Sequence, residues 1–201
     1  MKKLGLYIHI PFCDKICNYC DFTAFQGANS KIKEYVEALK KEIELKENKD
    51  FLIDSIFIGG GTPSFIDGKY IFEILEKVKE NFTVLDNIEI TIETNPKTFD
   101  EKKLEYYKSA KINRLSIGVQ SFNDVILNEL GRNHNSKEAL ESIELVKKFA
   151  FDINLDLIFG YQSQTIEDIL YDLEMIKKIN PEHISYYALI IEEKTKFKAL
   201  Q

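Results

Sequence analysis

The sequence predicts an α/β protein built as a partial (β/α)6 barrel of parallel strands. Two observations carry this. Six short apolar segments recur, at Leu4–Ile10, Ser55–Ile58, Ile88–Glu93, Arg114–Gln120, Ile153–Phe159 and His183–Ile190, and segments of helical period lie between them. Such alternation needs crossover connections, and crossovers make neighbouring strands parallel. Second, several strands are two-faced: Ile88, Ile90 and Ile92 oppose Glu89, Thr91 and Glu93, and Leu115, Ile117 and Val119 oppose Ser116, Gly118 and Gln120. Likewise Ile153, Leu155 and Leu157 oppose Asn154 and Asp156. The helices must cover the apolar faces, so the polar faces turn inward together. The interior is then lined by Tyr7, His9, Gly59, Glu93, Gln120 and Asp156. A filled barrel packs branched apolar residues inside, so a polar and small lining predicts a hollow for a polar ligand, open at the C-terminal ends of the strands.

The helices are expected at 31–48, 69–81, 100–110, 123–149 with a break near Gly131, and 165–179. In the first, Ile32, Tyr35, Val36, Leu39 and Ile43 form one stripe, backed by lysines and glutamates. Ser136, and Thr165 with Asp168 three residues on, read as helix starts. The run Gly59-Gly60-Gly61-Thr62-Pro63 ends the second strand, and its glycines let backbone approach a ligand that side chains would exclude.

The first strand runs into residues 13–20, which hold every cysteine of the chain: Cys13, Cys17 and Cys20. Three thiols this close leave one over in any disulfide pairing, and bridges so short would be strained. A metal or cluster site fits better. Three thiolates can hold a cubane iron-sulfur cluster and leave its fourth iron open to a non-protein ligand. Zinc bound by the three cysteines and His9 is the rival reading, although zinc sites usually pair cysteines as Cys-x-x-Cys and the first gap here is three residues.

Composition narrows the class. In 201 residues, 44% apolar and 30% charged, there is room for one domain with a full core. No apolar run approaches the roughly 20 residues of a membrane helix. Free thiols without a cleavable leader point to a reducing cytoplasm. A net charge of −6 argues against a broad nucleic-acid surface.

The run Tyr7-Ile8-His9-Ile10-Pro11-Phe12-Cys13, followed by Cys17-Asn18-Tyr19-Cys20-Asp21-Phe22, resembles the radical S-adenosylmethionine superfamily, in its oxygen-independent coproporphyrinogen III oxidase and haem chaperone branch. The resemblance continues through Gly59–Ser64, Ile92–Pro96, Arg114–Phe122, Leu130–Arg132 and Asn154–Gly160. It implies a radical SAM core with a 4Fe-4S cluster on Cys13, Cys17 and Cys20. It also implies S-adenosylmethionine contacts from Tyr7, Gly60, Thr62, Glu93, Gln120, Arg132, Asp156 and Ala188. Tyr19 is expected to shield the cluster.

The oxidase branch carries a further cysteine two positions after its third cluster ligand; here that position is Phe22. The pattern is therefore similar to the haem chaperone branch, which implies haem as cargo, haemoproteins as recipients and an electron donor as partner. The alternative is the oxidase itself, acting on a porphyrinogen. No haem ligand stands out among His9, His134 and His183. Residues 1–201 are expected to form the core domain, ending after the sixth strand without the family's C-terminal region.

Overall fold

The structure is a computed structural model that describes residues 2–48, 50–161 and 163–199. Six strands form one sheet: β1 (Lys2–Ile10), β2 (Phe51–Gly60), β3 (Thr83–Thr94), β4 (Arg114–Gln120), β5 (Asp152–Phe159) and β6 (His183–Ala188). They lie side by side in chain order and every pairing is parallel. The sheet is a half-barrel of six parallel strands, with β1 and β6 as its two edges. The predicted fold class is the one found.

Helices α1 (Ile32–Leu45), α2 (Gly68–Asn81), α3 (Glu101–Ser109), α4 (Asp124–Glu129), α5 (Ser136–Lys148) and α6 (Ile166–Ile179) follow the strands in turn, and a short α7 (Lys196–Ala199) comes last. The core lies between the helices and the convex face of the sheet. Ile56, Ile58, Ile92, Leu115, Ile117, Val119, Leu155 and Leu157 are at most 2% exposed and belong to one cluster with Ile71, Leu75, Leu104, Tyr107, Ile143 and Val146 of the helices. Burying each aliphatic side chain is worth about 1.5–3 kcal/mol, so the period-two pattern fixes which face of every strand turns outward.

Some boundaries move. Strands β2 and β3 begin at Phe51 and Thr83, earlier than predicted. Asn87, inside the third strand, turns the backbone at φ 55°. The chain absorbs that turn as a bulge, where pairing steps from Ile53 opposite Val84 to Ser55 opposite Glu89. The sixth strand stops at Ala188 rather than Ile190. The long helix predicted over 123–149 is two helices: α4 ends before Gly131, and α5 starts at Ser136 as expected, with Asn135 as its cap. Asn135 and Glu138 there exchange side-chain-to-backbone hydrogen bonds. Thr165 caps α6 with Asp168 as expected.

Candidate cofactor site at the carboxyl ends of the strands

The cysteine loop leaves β1 at Pro11 and is drawn closed where Phe12-Cys13 pairs with Phe25-Gln26. His9 holds the returning arm, its Nε2 3.0 Å from the Thr23 carbonyl. A carbonyl can only accept, so Nε2 carries the proton and Nδ1 accepts from the Tyr7 hydroxyl at 3.0 Å. The far side of the loop docks on the end of α4. Asn18 donates its backbone N–H to Leu130 O (3.0 Å) and its amide to Glu129 O (2.9 Å), and Phe197 N–H donates to Asn18 O.

This closure sets the three thiols on the rim of a cavity at the C-terminal ends of β2 to β5. All three are free. Burial pushes the Cys13 and Cys20 thiols up from their ordinary range, and the charges of the neighbouring cysteines push the same way. Cys13 lies 3.4 Å from the Thr62 hydroxyl, and Cys17 accepts from Arg132 Nη1 at 3.3 Å. Among the described residues no three His, Cys, Asp or Glu side chains are grouped to hold a metal ion. His9, the partner that zinc would need, is engaged with Tyr7 and Thr23.

Backbone forms the cavity wall beside Cys13. Gly60 sits at φ 122°, and a Cβ there would meet the His9 ring at 2.7 Å; at Gly61 a Cβ would meet Phe12 O at 2.9 Å and Cys13 Sγ at 3.0 Å. Glycine at these two positions is what lets the second strand end against the cysteine loop. Gly60 N–H donates to Glu93 Oε2 at 3.0 Å.

Side chains form the opposite wall. Burial pushes the Glu93 carboxyl up to about 7, against the Gly60 hydrogen bond and helped by the charge of Asp156. Asp156 is raised by burial too, although Ser116, Ser185 and Asn154 hold its charge. Gln120 ends β4 at φ 71°, with the Tyr187 hydroxyl donating to its Oε1 at 3.4 Å. Burial pushes that tyrosine up to about 12. Arg132 reaches over from beyond α4. Its Nη2 donates to Asn95 Oδ1 (2.5 Å) and Gly118 O (2.6 Å), and its Nη1 donates to Cys17 and to the Tyr19 hydroxyl (3.3 Å). Its Nε is buried without a partner.

Cys13, Cys17, Cys20, Gly60, Thr62, Glu93, Gln120, Arg132 and Asp156 thus gather around one cavity. Tyr7 and Ala188 do not. Tyr7 is exposed on the β1 edge and stacks on Phe57; Ala188 is exposed on the β6 edge. The sequence reading missed Asn95, which accepts from Arg132 and donates to Thr62 Oγ1 at 2.9 Å. Its signal was its place directly after Glu93 and Thr94, at the turn off β3. Of the histidines, His134 is 5% exposed, bonded to Val119 O, and held down to about 4 by burial and by Arg132. His183 lies at the opposite end of the barrel, at the start of β6.

A family model described as the radical SAM superfamily matches residues 7–176. The chain belongs to the radical SAM superfamily. Among curated relatives, a protein of Buchnera aphidicola subsp. Schizaphis graminum is 42% identical over 200 residues, and one of Haemophilus influenzae is 42% identical over 205. Both carry the name heme chaperone HemW. Each alignment takes in 98% of this chain but 53% and 54% of the relative, so the chain spans about half the length of the curated relatives it matches. Among solved structures, coproporphyrinogen III oxidase (HemN) of Escherichia coli, a radical SAM enzyme, superposes with a TM-score of 0.89 at 28% identity, over 98% of this chain and 46% of that one. Membership of the superfamily implies a 4Fe-4S cluster and S-adenosylmethionine.

Proposed function

We propose that this chain is the radical SAM core of a haem chaperone, which binds haem and hands it to haemoproteins. The observation that carries the reading is the rim of the cysteine loop. Two residues past Cys20, where the oxidase branch places another cysteine, stands Phe22, an aromatic ring 75% exposed beside the thiols. The higher identity to proteins named as haem chaperones than to the oxidase supports it.

The donor set fits the implied cofactors. Cys13, Cys17 and Cys20 offer three soft thiolates, enough for three irons of a cubane and one short of all four. Bound and reduced, such a cluster supplies one-electron chemistry at the sulfonium of S-adenosylmethionine. The residues' own part is to hold and orient. Arg132, with an unpartnered buried N–H, suits a carboxylate. The Gly60–Thr62 edge offers backbone, and Glu93, Gln120 and Asp156 offer oxygens to hydroxyl and amino groups. A reducing setting such as the cytoplasm would keep the three free thiols available to a cluster, and among the described residues no helix is long and apolar enough to cross a membrane.

The second reading, the oxidase, is favoured by the close superposition on that enzyme. One experiment separates them. The full-length protein, anaerobically reconstituted with iron and sulfide, is titrated with haem and followed by its Soret band; separately it receives S-adenosylmethionine, reductant and coproporphyrinogen III. Stoichiometric haem binding without vinyl product is the expected result. Vinyl porphyrin formed in step with 5′-deoxyadenosine would overturn the chaperone reading.

A further inference from the structure

Helix α6 carries a carboxylate where an apolar residue would serve packing better. Asp172 is fully buried, and its partners are all neutral donors: the Ser121 hydroxyl at 2.9 and 3.2 Å, and the Phe122 N–H at 2.7 Å. The charge of Asp168, one turn earlier, has the same sign and pushes its pKa further in the direction burial does. Buried charge without a cation is costly, and like charges four apart weaken a helix. Something must offset this.

The offset lies next to the cofactor cavity. The carboxylate grips the two residues that follow Gln120, a non-glycine residue in the left-handed region, at φ 71°. At this point the pairing of β4 with β5 slips, Gly118 lying opposite Asp156 and Gln120 opposite Leu157. A left-handed glutamine costs of order 1 kcal/mol or more and persists only where its surroundings impose it. Asp168 adds a second grip, accepting from Asn123 Nδ2 at 2.7 Å, and Asn123 in turn caps α4 through Val125 N–H. Beyond α4 comes Arg132, whose guanidinium meets Cys17. One face of α6 therefore holds the turn that aims Gln120 and starts the arm that brings Arg132 to the thiols.

We infer that Asp172, outside the cavity, is a positioning residue for S-adenosylmethionine binding: it clasps Ser121 and Phe122 and so holds Gln120 in the conformation that places its amide in the cavity. This rests on the reading of the cavity given under Proposed function. Asp172 touches no cofactor itself.

The test uses the full-length protein, cluster-loaded for binding and cluster-free for melting. S-adenosylmethionine is titrated calorimetrically into wild type, Asp172→Asn and Asp172→Ala. Asn keeps one acceptor oxygen, so it retains most of the affinity, while Ala loses roughly ten-fold, with iron and sulfide content unchanged. No binding by wild type would overturn the cavity reading, and this inference with it. Wild-type binding with a folded Asp172→Ala that binds within about two-fold of it would overturn the inference alone.

A melting cycle with Gln120→Gly works even where binding cannot be measured for a weakened variant. Glycine adopts φ 71° without strain, whereas a glutamine freed from the clasp relaxes and recovers its strain energy, so Asp172→Ala lowers the melting temperature more in the Gln120→Gly background than in wild type. Equal losses in both backgrounds mean that Asp172 only docks α6, and would overturn the inference.

Discussion

The concave face of the half-barrel has two storeys made by the same strands. The upper one, at the strand ends, holds the thiols, Glu93 and Arg132. The lower one, beneath Asp156, is a ladder centred on Asn154, which is 1% exposed. Its Nδ2 donates to Ser116 Oγ (2.7 Å) and Asp156 Oδ1 (2.6 Å), its Oδ1 accepts from Ser185 Oγ (3.2 Å), and His183 Nδ1 meets the same oxygen. Both storeys are polar and largely buried. In the lower one each group closes on its neighbours. In the upper one Glu93 has the Gly60 N–H, Arg132 keeps an orphaned Nε, and three thiols share a rim. Polarity alone does not mark a binding site; polar groups left with open hydrogen-bonding capacity do.

Substitutions in the upper storey should remove ligands, and those in the lower storey should remove stability. The largest effect is expected from Cys17→Ser, which loses the cluster outright, as iron and sulfide analysis and visible absorbance would record. Retention of a full cluster would remove the thiols from the site. Arg132→Met comes next: S-adenosylmethionine affinity falls by about 1.5–3 kcal/mol in calorimetry, the scale of a lost charged hydrogen bond, while the stability lost with the bonds to Asn95 and Gly118 is offset in part because a buried charge leaves with them.

Asn154→Leu reverses that pattern. Leaving Ser116, Asp156, Ser185 and His183 without their partner costs about 1–3 kcal/mol in urea unfolding, with an affinity loss, through Asp156, smaller than that of Arg132→Met. An affinity loss larger than that of Arg132→Met would collapse the distinction between the storeys.

The smallest effect is a pH dependence. Glu93 has its folded pKa raised to about 7, so between about 4.5 and 7 the folded chain keeps a proton that the unfolded chain has released. Stability from this group is complete below about 4.5 and is lost as pH rises through about 7, a slope worth about 1–2 kcal/mol in the cofactor-free protein. Glu93→Gln flattens it. A slope that survives the substitution assigns the proton elsewhere.

How much of this could be read from the residues follows from the same physics. The six strands and their inward faces were legible because period two and helical period differ strongly in a helix-covered sheet. The three cysteines were legible because their type and spacing are chemically specific, and Gly60 and Glu93 through the motifs that carry the resemblance. Tyr7 and Ala188 shared the right strands, but alternation gives a face and not a distance from the edge, so their exposure was invisible. The long-range bonds of Asn95, Asp168 and Asp172 were invisible for another reason, although the local cap of Thr165 with Asp168 was legible: each reaches a partner 31 to 51 residues away in the chain, counting Asn95 to Ser64 and Asp172 to Ser121. A carboxylate on a helix reads as solvated until the fold buries it.

The pairing of Phe12-Cys13 with Phe25-Gln26 has one more consequence, in the arithmetic of chain entropy. Bringing together the ends of a loop of about a dozen residues costs a flexible chain about 2 kcal/mol, and fixing each residue's backbone costs about 1–2 more. Here the ribbon, the His9 bridge to Thr23 and the seat of Asn18 on α4 meet that cost during folding. Whatever the thiols receive finds a cup already standing, and the free energy of capture goes into holding the guest rather than into gathering the loop.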